Sequence, residues 1–179
     1  MLKHGQPIQD LVALLQSSAA KPIIVPSRLA PSAIYDVEYR TVVIALVFER
    51  FAKPFGPAGH RRVSSARLKL LQFITLRPWL LPAIQEWSKG VEQEALAFAH
   101  SIRIRRGFLS DTAHDDVINY LVACDIFFWQ ESHLVNGQNG KVLHEISESI
   151  EKQNLFASER KVIAELGDVK ITNAMLEGW

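Results

Sequence analysis

With 179 residues, 48% of them hydrophobic and 22% charged, and a formal net charge of +1, the chain has an ordinary globular composition, long enough for one large domain or two small ones sharing an interface. A single cysteine, Cys124, excludes an intrachain disulfide and fits a reducing compartment; its place in a helical apolar pattern marks a buried structural thiol. Met1 to Gln6 carries no apolar signal core, and the longest apolar run, Thr41 to Phe48, is bounded by Arg40 and Glu49, so no export signal or membrane span is expected and the chain is assigned to the cytoplasm.

Pro7 opens a short helix whose Ile8, Leu11, Val12, Leu14 and Leu15 form one stripe, and Pro22, Pro26 and Pro31 then enforce an extended connector. Ser32 is expected to cap a long helix from about Ala33 to Lys53. Val42, Val43, Ile44, Leu46, Val47, Phe48 and Phe51 make that helix apolar nearly all round, which places it at the centre of the fold. Lys53 to His60, with Pro54, Gly56, Pro57 and Gly59, reads as a mobile loop. Helices over Ser64 to Thr75 and Pro78 to Ser88 bury Leu68, Leu71, Ile74, Trp79, Ile84 and Trp87, and Arg77 is expected to hold the turn between them through an ion pair. A further helix from Val91 to Arg106 ends on Arg103, Arg105 and Arg106, which oppose the negative end of its dipole, and Gly107 is expected to stop it.

Ser110 or Asp111 caps the next helix, with Asp115 and Asp116 in its early turns and Val117, Ile118, Leu121 and Val122 as its core stripe. Ile126 to Trp129 is a β-branched and aromatic strand, Ser132 to Val135 its return, and Asn136 to Gly140 supplies residues that tolerate positive φ. Alternation puts Phe127 and Trp129 on one face and Phe128 on the other, so at least one large ring faces outward unless another element covers it. Helices from Lys141 to Gln153 and from Ala157 to Leu166 follow. Gly167 ends the second, and Thr172 caps a last turn carrying Met175, Leu176 and Trp179. The expected fold is therefore mainly α: a helical N-terminal part over residues 1–90, and a winged-helix-like C-terminal part over residues 91–179 that carries a small β-ribbon, the two sharing a core.

The net charge conceals a segregation. Lys21 to Arg106 holds 14 basic and 6 acidic residues, whereas Gly107 to Trp179 holds 5 basic and 12 acidic. Such a dipole suggests surfaces with different partners, or halves that face one another. From Gly107 to Gly140 there is no Lys or Arg at all, while Asp111, Asp115, Asp116, Asp125 and Glu131 are present. A winged helix that reads DNA draws most of its affinity from basic residues on the recognition helix and wing, so this unit is expected to bind protein, with Asp115, Asp116, Phe128, Trp129 and Trp179 as the interface candidates. Nucleic acid, or an acidic protein surface, would instead find Arg61, Arg62, Arg67 and Lys69 beside the Gly and Pro loop, with Arg103, Arg105 and Arg106 downstream.

No phosphate loop, GxSxG elbow, HExxH or zinc-spaced cysteine pair occurs, so no catalytic residue, metal or cofactor is assigned. Asp111, His114, Asp115 and Asp116 could gather round a divalent ion, but acidic residues at a helix start are explained by capping and the helix dipole.

Arg67-Leu68-Lys69-Leu70-Leu71-Gln72-Phe73 and Leu76-Arg77-Pro78-Trp79-Leu80-Leu81 in a helical first half are followed by Tyr120-Leu121-Val122. The chain closes with Leu155-Phe156-Ala157-Ser158-Glu159-Arg160, Leu166-Gly167 and Met175-Leu176-Glu177-Gly178-Trp179. Over roughly residues 30–179 this pattern resembles the middle component of prokaryotic ABC-three-component systems, which include the small third subunit of Lamassu anti-phage systems. The resemblance implies a non-enzymatic subunit that bridges or restrains an effector, often a nuclease, on a coiled-coil ATPase related to structural-maintenance-of-chromosomes proteins. DNA contact would then be indirect or weak, and no membrane would be involved. The alternative reading is a winged-helix DNA-binding transcriptional regulator, whose basic helix and wing are missing here; a metal-dependent hydrolase would need ligands from elsewhere in the chain.

Overall fold

In a computed structural model that describes residues 36–56, 59–89, 95–172 and 175–176, and the side chains of all of these except 95–101, helix α1 (Val37–Phe51) runs through the centre. Asp36 starts it: its carboxylate accepts the Tyr39 N–H at 2.8 Å from an extended backbone, so Asp36 is the cap where Ser32 had been expected. Every residue from Arg40 to Phe48 is buried, as a helix apolar all round requires. The helix stops at Phe51 and not Lys53, because a residue preceding proline avoids the helical region and Pro54 holds Lys53 extended. The helix expected after Pro7, the Pro22 to Pro31 connector, Ser32 and Trp179 lie outside the described residues.

The segment read as a mobile loop is instead a hairpin of β1 (Lys53–Phe55) and β2 (His60–Ser64), with Pro54 opposite Arg61. Gly56 and Gly59, at φ +67° and +72°, make the turn, a region that side chains disfavour. Ser64 then caps α2 (Ser65–Thr75) by accepting the Arg67 N–H at 3.2 Å. The single helix expected from Pro78 splits into a 3₁₀ turn (Pro78–Leu80) and α3 (Leu81–Ser88). Leu81 and Ile84 take the core positions, and Trp79, expected to be buried, is 67% exposed in the 3₁₀ turn.

Helix α4 (Ala95–Leu109) runs on through Gly107, which had been expected to end it. A Cβ at this glycine would lie 2.6 Å from Cζ of Phe73, so its role is to let α4 approach an α2 ring, and the next residue, Phe108, is wholly buried. Asp111 caps α5 (Thr112–Ala123), followed by β3 (Phe127–Gln130), β4 (His133–Asn136), α6 (Lys141–Lys152) and α7 (Ala157–Leu166). The strands form one antiparallel sheet in the order β1-β2-β4-β3, with Val63 opposite Leu134 and Leu134 opposite Trp129. The expected ribbon is thus half of a wider sheet whose other half comes from residues 53–64. Helices α2, α5, α6 and α7 all pack on α1, and one hydrophobic core takes residues from Val42 to Met175. Among the described residues no helix is long and apolar enough to cross a membrane.

Arg40, Asp111 and Glu159 are buried charged residues, and Arg40 is the deepest of them. Arg40 is 0% exposed and meets Asp111 through two nitrogens, with contacts of 3.0, 3.2 and 3.3 Å. Asp111 also accepts the His114 N–H at 3.3 Å, and Arg77 stands 3.9 Å away with its guanidinium 4.0 Å from the Phe73 ring. The Gln72 amide donates to the Arg40 carbonyl at 3.2 Å, tying α2 to the same point. Removing one member of such a pair leaves a buried charge uncompensated, so Arg40→Met should cost about 3–5 kcal/mol in urea unfolding. Adding Asp111→Asn, which keeps a capping side chain while removing the charge, should recover part of that loss. A single variant as stable as the wild type would show that the pair is not a structural requirement.

Candidate functional site

Strand alternation and the observed register divide the sheet residues into two faces. On the inner face Phe127 lies 5.0 Å from the Phe48 ring, and Val63 and Leu134 are buried beside it. Arg61 belongs to this side. Its guanidinium bonds Glu49 at 2.7 Å, donates to the carbonyls of Glu49 and Ala52, and stands 5.7 Å from the Phe48 ring. The charge of Arg61 is therefore matched inside the fold.

The outer face carries Phe55, His60, Arg62, Phe128, His133 and Val135. Arg62 is exposed and lies 4.5 Å over the Phe55 ring. The His60 ring meets the Phe128 ring edge-on at 5.9 Å and is oriented by a 2.9 Å hydrogen bond from Nδ1 to the Asn136 carbonyl. Val135, opposite both Phe128 and Arg62, is fully buried but stands apart from the main core cluster. The outward direction of Phe128 agrees with the alternation. Trp129 does not follow Phe127 into the core and is 47% exposed, because Phe127 and Leu134 fill the space beneath β3 and no strand flanks its outer side among the described residues.

The other expected basic contacts disperse. Arg67 lies 5.9 Å from the Phe51 ring, and Lys69 bonds Asp115 at 2.7 Å with the Leu109 carbonyl 3.5 Å away. Arg103 and Arg106 are exposed on α4 and Arg105 is half-buried. Lys69 and Asp115, assigned from sequence to different partners, thus pair with each other, and Asp116 remains exposed. Nor do the groups at the start of α5 converge: Asp111 faces Arg40, His114 faces Gln72 and Asp115 faces Lys69. A cleft of about 410 Å³ between α1, α6 and α7 is lined by Glu49, Arg50, His144, Glu148 and Arg160 among others, a mixed-charge surface in which Glu49 is already paired with Arg61 and His144.

Sequence reasoning missed the buried polar chain from Arg40 through Gln72 to His114. The available signals were a charged residue opening the longest apolar run and a glutamine amid the apolar positions of α2. Because Gln72 uses its amide nitrogen on Arg40, its oxygen faces His114 and accepts from Nδ1–H; the Nε2 atom is buried without a hydrogen-bond partner. Desolvation lowers the His114 pKa from 6.5 to about 4, against the opposing pull of Asp115. As the pH falls, the unfolded chain takes up the proton first. The stability gained from keeping this imidazole neutral is complete above about 6.5 and is lost towards about 4. Between pH 7 and pH 5 the residue should remove about 2 kcal/mol of stability, a loss that His114→Gln should lack in paired urea titrations. Equal pH slopes in both proteins would remove His114 from this role.

Comparison of the chain with protein-family models, with curated proteins and with solved structures finds no match.

Proposed function

We propose that the chain is a non-catalytic subunit of a three-component anti-phage assembly, bridging or restraining an effector, often a nuclease, on a coiled-coil ATPase related to structural-maintenance-of-chromosomes proteins. In this reading α5 with the β3–β4 hairpin serves as the winged-helix-like unit and presents its aromatic edge to a protein partner in the cytoplasm. The sequence resemblance over roughly residues 30–179 supports the class of assembly.

The observation that carries the binding role is the contrast between the two sheet edges. Exposed edge strands invite pairing, and proteins normally guard them with lysine, proline or charge. β1 is guarded by Lys53 and Pro54. β3, of sequence Phe-Phe-Trp-Gln, has no such residue, and it leaves Phe128 40% and Trp129 47% exposed. An unguarded aromatic edge suits the buried centre of a protein interface. The outward residues of α5 include Asp116 and Asn119, a surface that disfavours the alternative of duplex reading by this helix.

Trp129→Lys should abolish co-purification with the ATPase and effector subunits, which the resemblance puts in the same operon, while shifting the melting temperature of the free chain by no more than a few degrees. Trp79→Lys, which alters a still more exposed indole outside the sheet, should leave assembly intact. Full assembly by the Trp129 variant would refute the β3 edge as the docking element.

A further inference from the structure

The outer face of the sheet is chemically unlike the acidic second half of the chain, from which two of its four strands come. None of the four strands contains Asp or Glu, while Lys53, Arg61 and Arg62 supply cations and His60 and His133 supply imidazoles. With Arg61 held inward by Glu49, the cations left for the outer face are Lys53 and Arg62, both exposed. The acidic residues nearest to β3 in sequence, Asp125 and Glu131, lie in the turns at its two ends and not on the strand.

The same face holds two aromatic platforms at opposite edges. Phe128 on β3 is 40% exposed and braced edge-on by His60; Phe55 on β1 lies beneath the Arg62 guanidinium. Val135, opposite Phe128 and Arg62, has no exposed surface, so the face offers no open apolar pocket at that point. Flat rings spaced across a sheet, with a planar guanidinium beside one and no carboxylate on the strands, match the requirements of unpaired bases. Each base offers a π-face for stacking, and each phosphate between bases a charge for Lys or Arg. A duplex hides those faces, and a protein strand would be drawn to the β3 edge and not to this surface.

We propose that the outer sheet face, through Phe128, Phe55, Arg62 and Lys53, binds single-stranded nucleic acid by base stacking and phosphate contact, without sequence preference. This goes beyond the proposed assembly role and does not depend on it: Phe128 borders both surfaces, but the test leaves Trp129 unchanged and the free chain suffices.

Fluorescence anisotropy of the full chain with a labelled 20-mer of dT, a 20-mer of rU and a 20-base-pair DNA duplex at 50 mM salt tests it. Both single strands, or one of them, should bind at least about tenfold tighter than the duplex, and the two single-stranded arms distinguish DNA from RNA as the source. Phe128→Leu, which keeps an apolar cover over Val135 and removes the ring, should weaken binding by about 5- to 150-fold, with recovery in Phe128→Tyr. Phe55→Leu gives an independent reading from the opposite edge and should weaken binding in the same range. Arg62→Glu should weaken it and lower the salt slope by about one, whereas Lys161→Glu, an exposed residue on α7, should change neither. Absence of binding to both single strands, preference for the duplex, or indifference to the Phe128, Phe55 and Arg62 substitutions would overturn the proposal.

Discussion

A buried guanidinium must find a partner, and the whole arrangement of helices in this protein accommodates that need. Arg40 sits in the first turn of the central helix with no exposed surface, so desolvating its charge is tolerable only because Asp111 meets it with both carboxylate oxygens. Asp111 is at once the counterion of α1 and the N-cap of α5, which fixes where α5 begins relative to α1. Gln72 bonds the Arg40 carbonyl and reaches His114 on α5, so the same polar chain locks α2 against both. The position of β3, which follows α5 after a short turn, descends from that single contact.

The sheet then separates two kinds of surface that the chain's charge segregation alone could not distinguish. Its inner face closes over Phe48 and takes Arg61 into the fold with Glu49. Its outer face keeps Arg62, and its two edges differ in how they resist another strand. The segregation of charge along the sequence is partly consumed internally: Lys69 from the basic half pairs with Asp115 from the acidic half, and Arg40 with Asp111. Among the described residues, the exposed cations left for partners include Lys53 and Arg62 on the sheet and Arg103 and Arg106 on α4.

The helices were legible in the sequence because capping and periodicity are local. Asp111 is one of the two caps expected for α5, the helix expected from Ser64 begins one residue later at Ser65, and α1 is buried from Arg40 to Phe48 as its apolar run requires. The β3–β4 hairpin was legible for the same reason. The β1–β2 hairpin was not, because Pro54 and the glycines advertise a loop, whereas the second partner that holds residues 62–64 in the sheet, β4, lies some seventy residues downstream. Gly107 misled for a related reason: glycine signals a helix end locally, but here it makes room for Phe73. Of the candidate site, Phe128 could be read from alternation. The partial exposure of Trp129 and the internal use of Arg61 and Lys69 depended on tertiary neighbours that no local pattern encodes.

The central functional claim is that β3 is an edge kept open for a partner. Amide hydrogen exchange read by mass spectrometry, on the free chain and on the complex assembled with the adjacent gene products, examines that edge directly. Exchange in residues 127–130 should slow markedly on assembly, while the guarded β1 edge at residues 53–55 should be unaffected. Unchanged exchange in β3, with new protection confined to the helices, would contradict that claim.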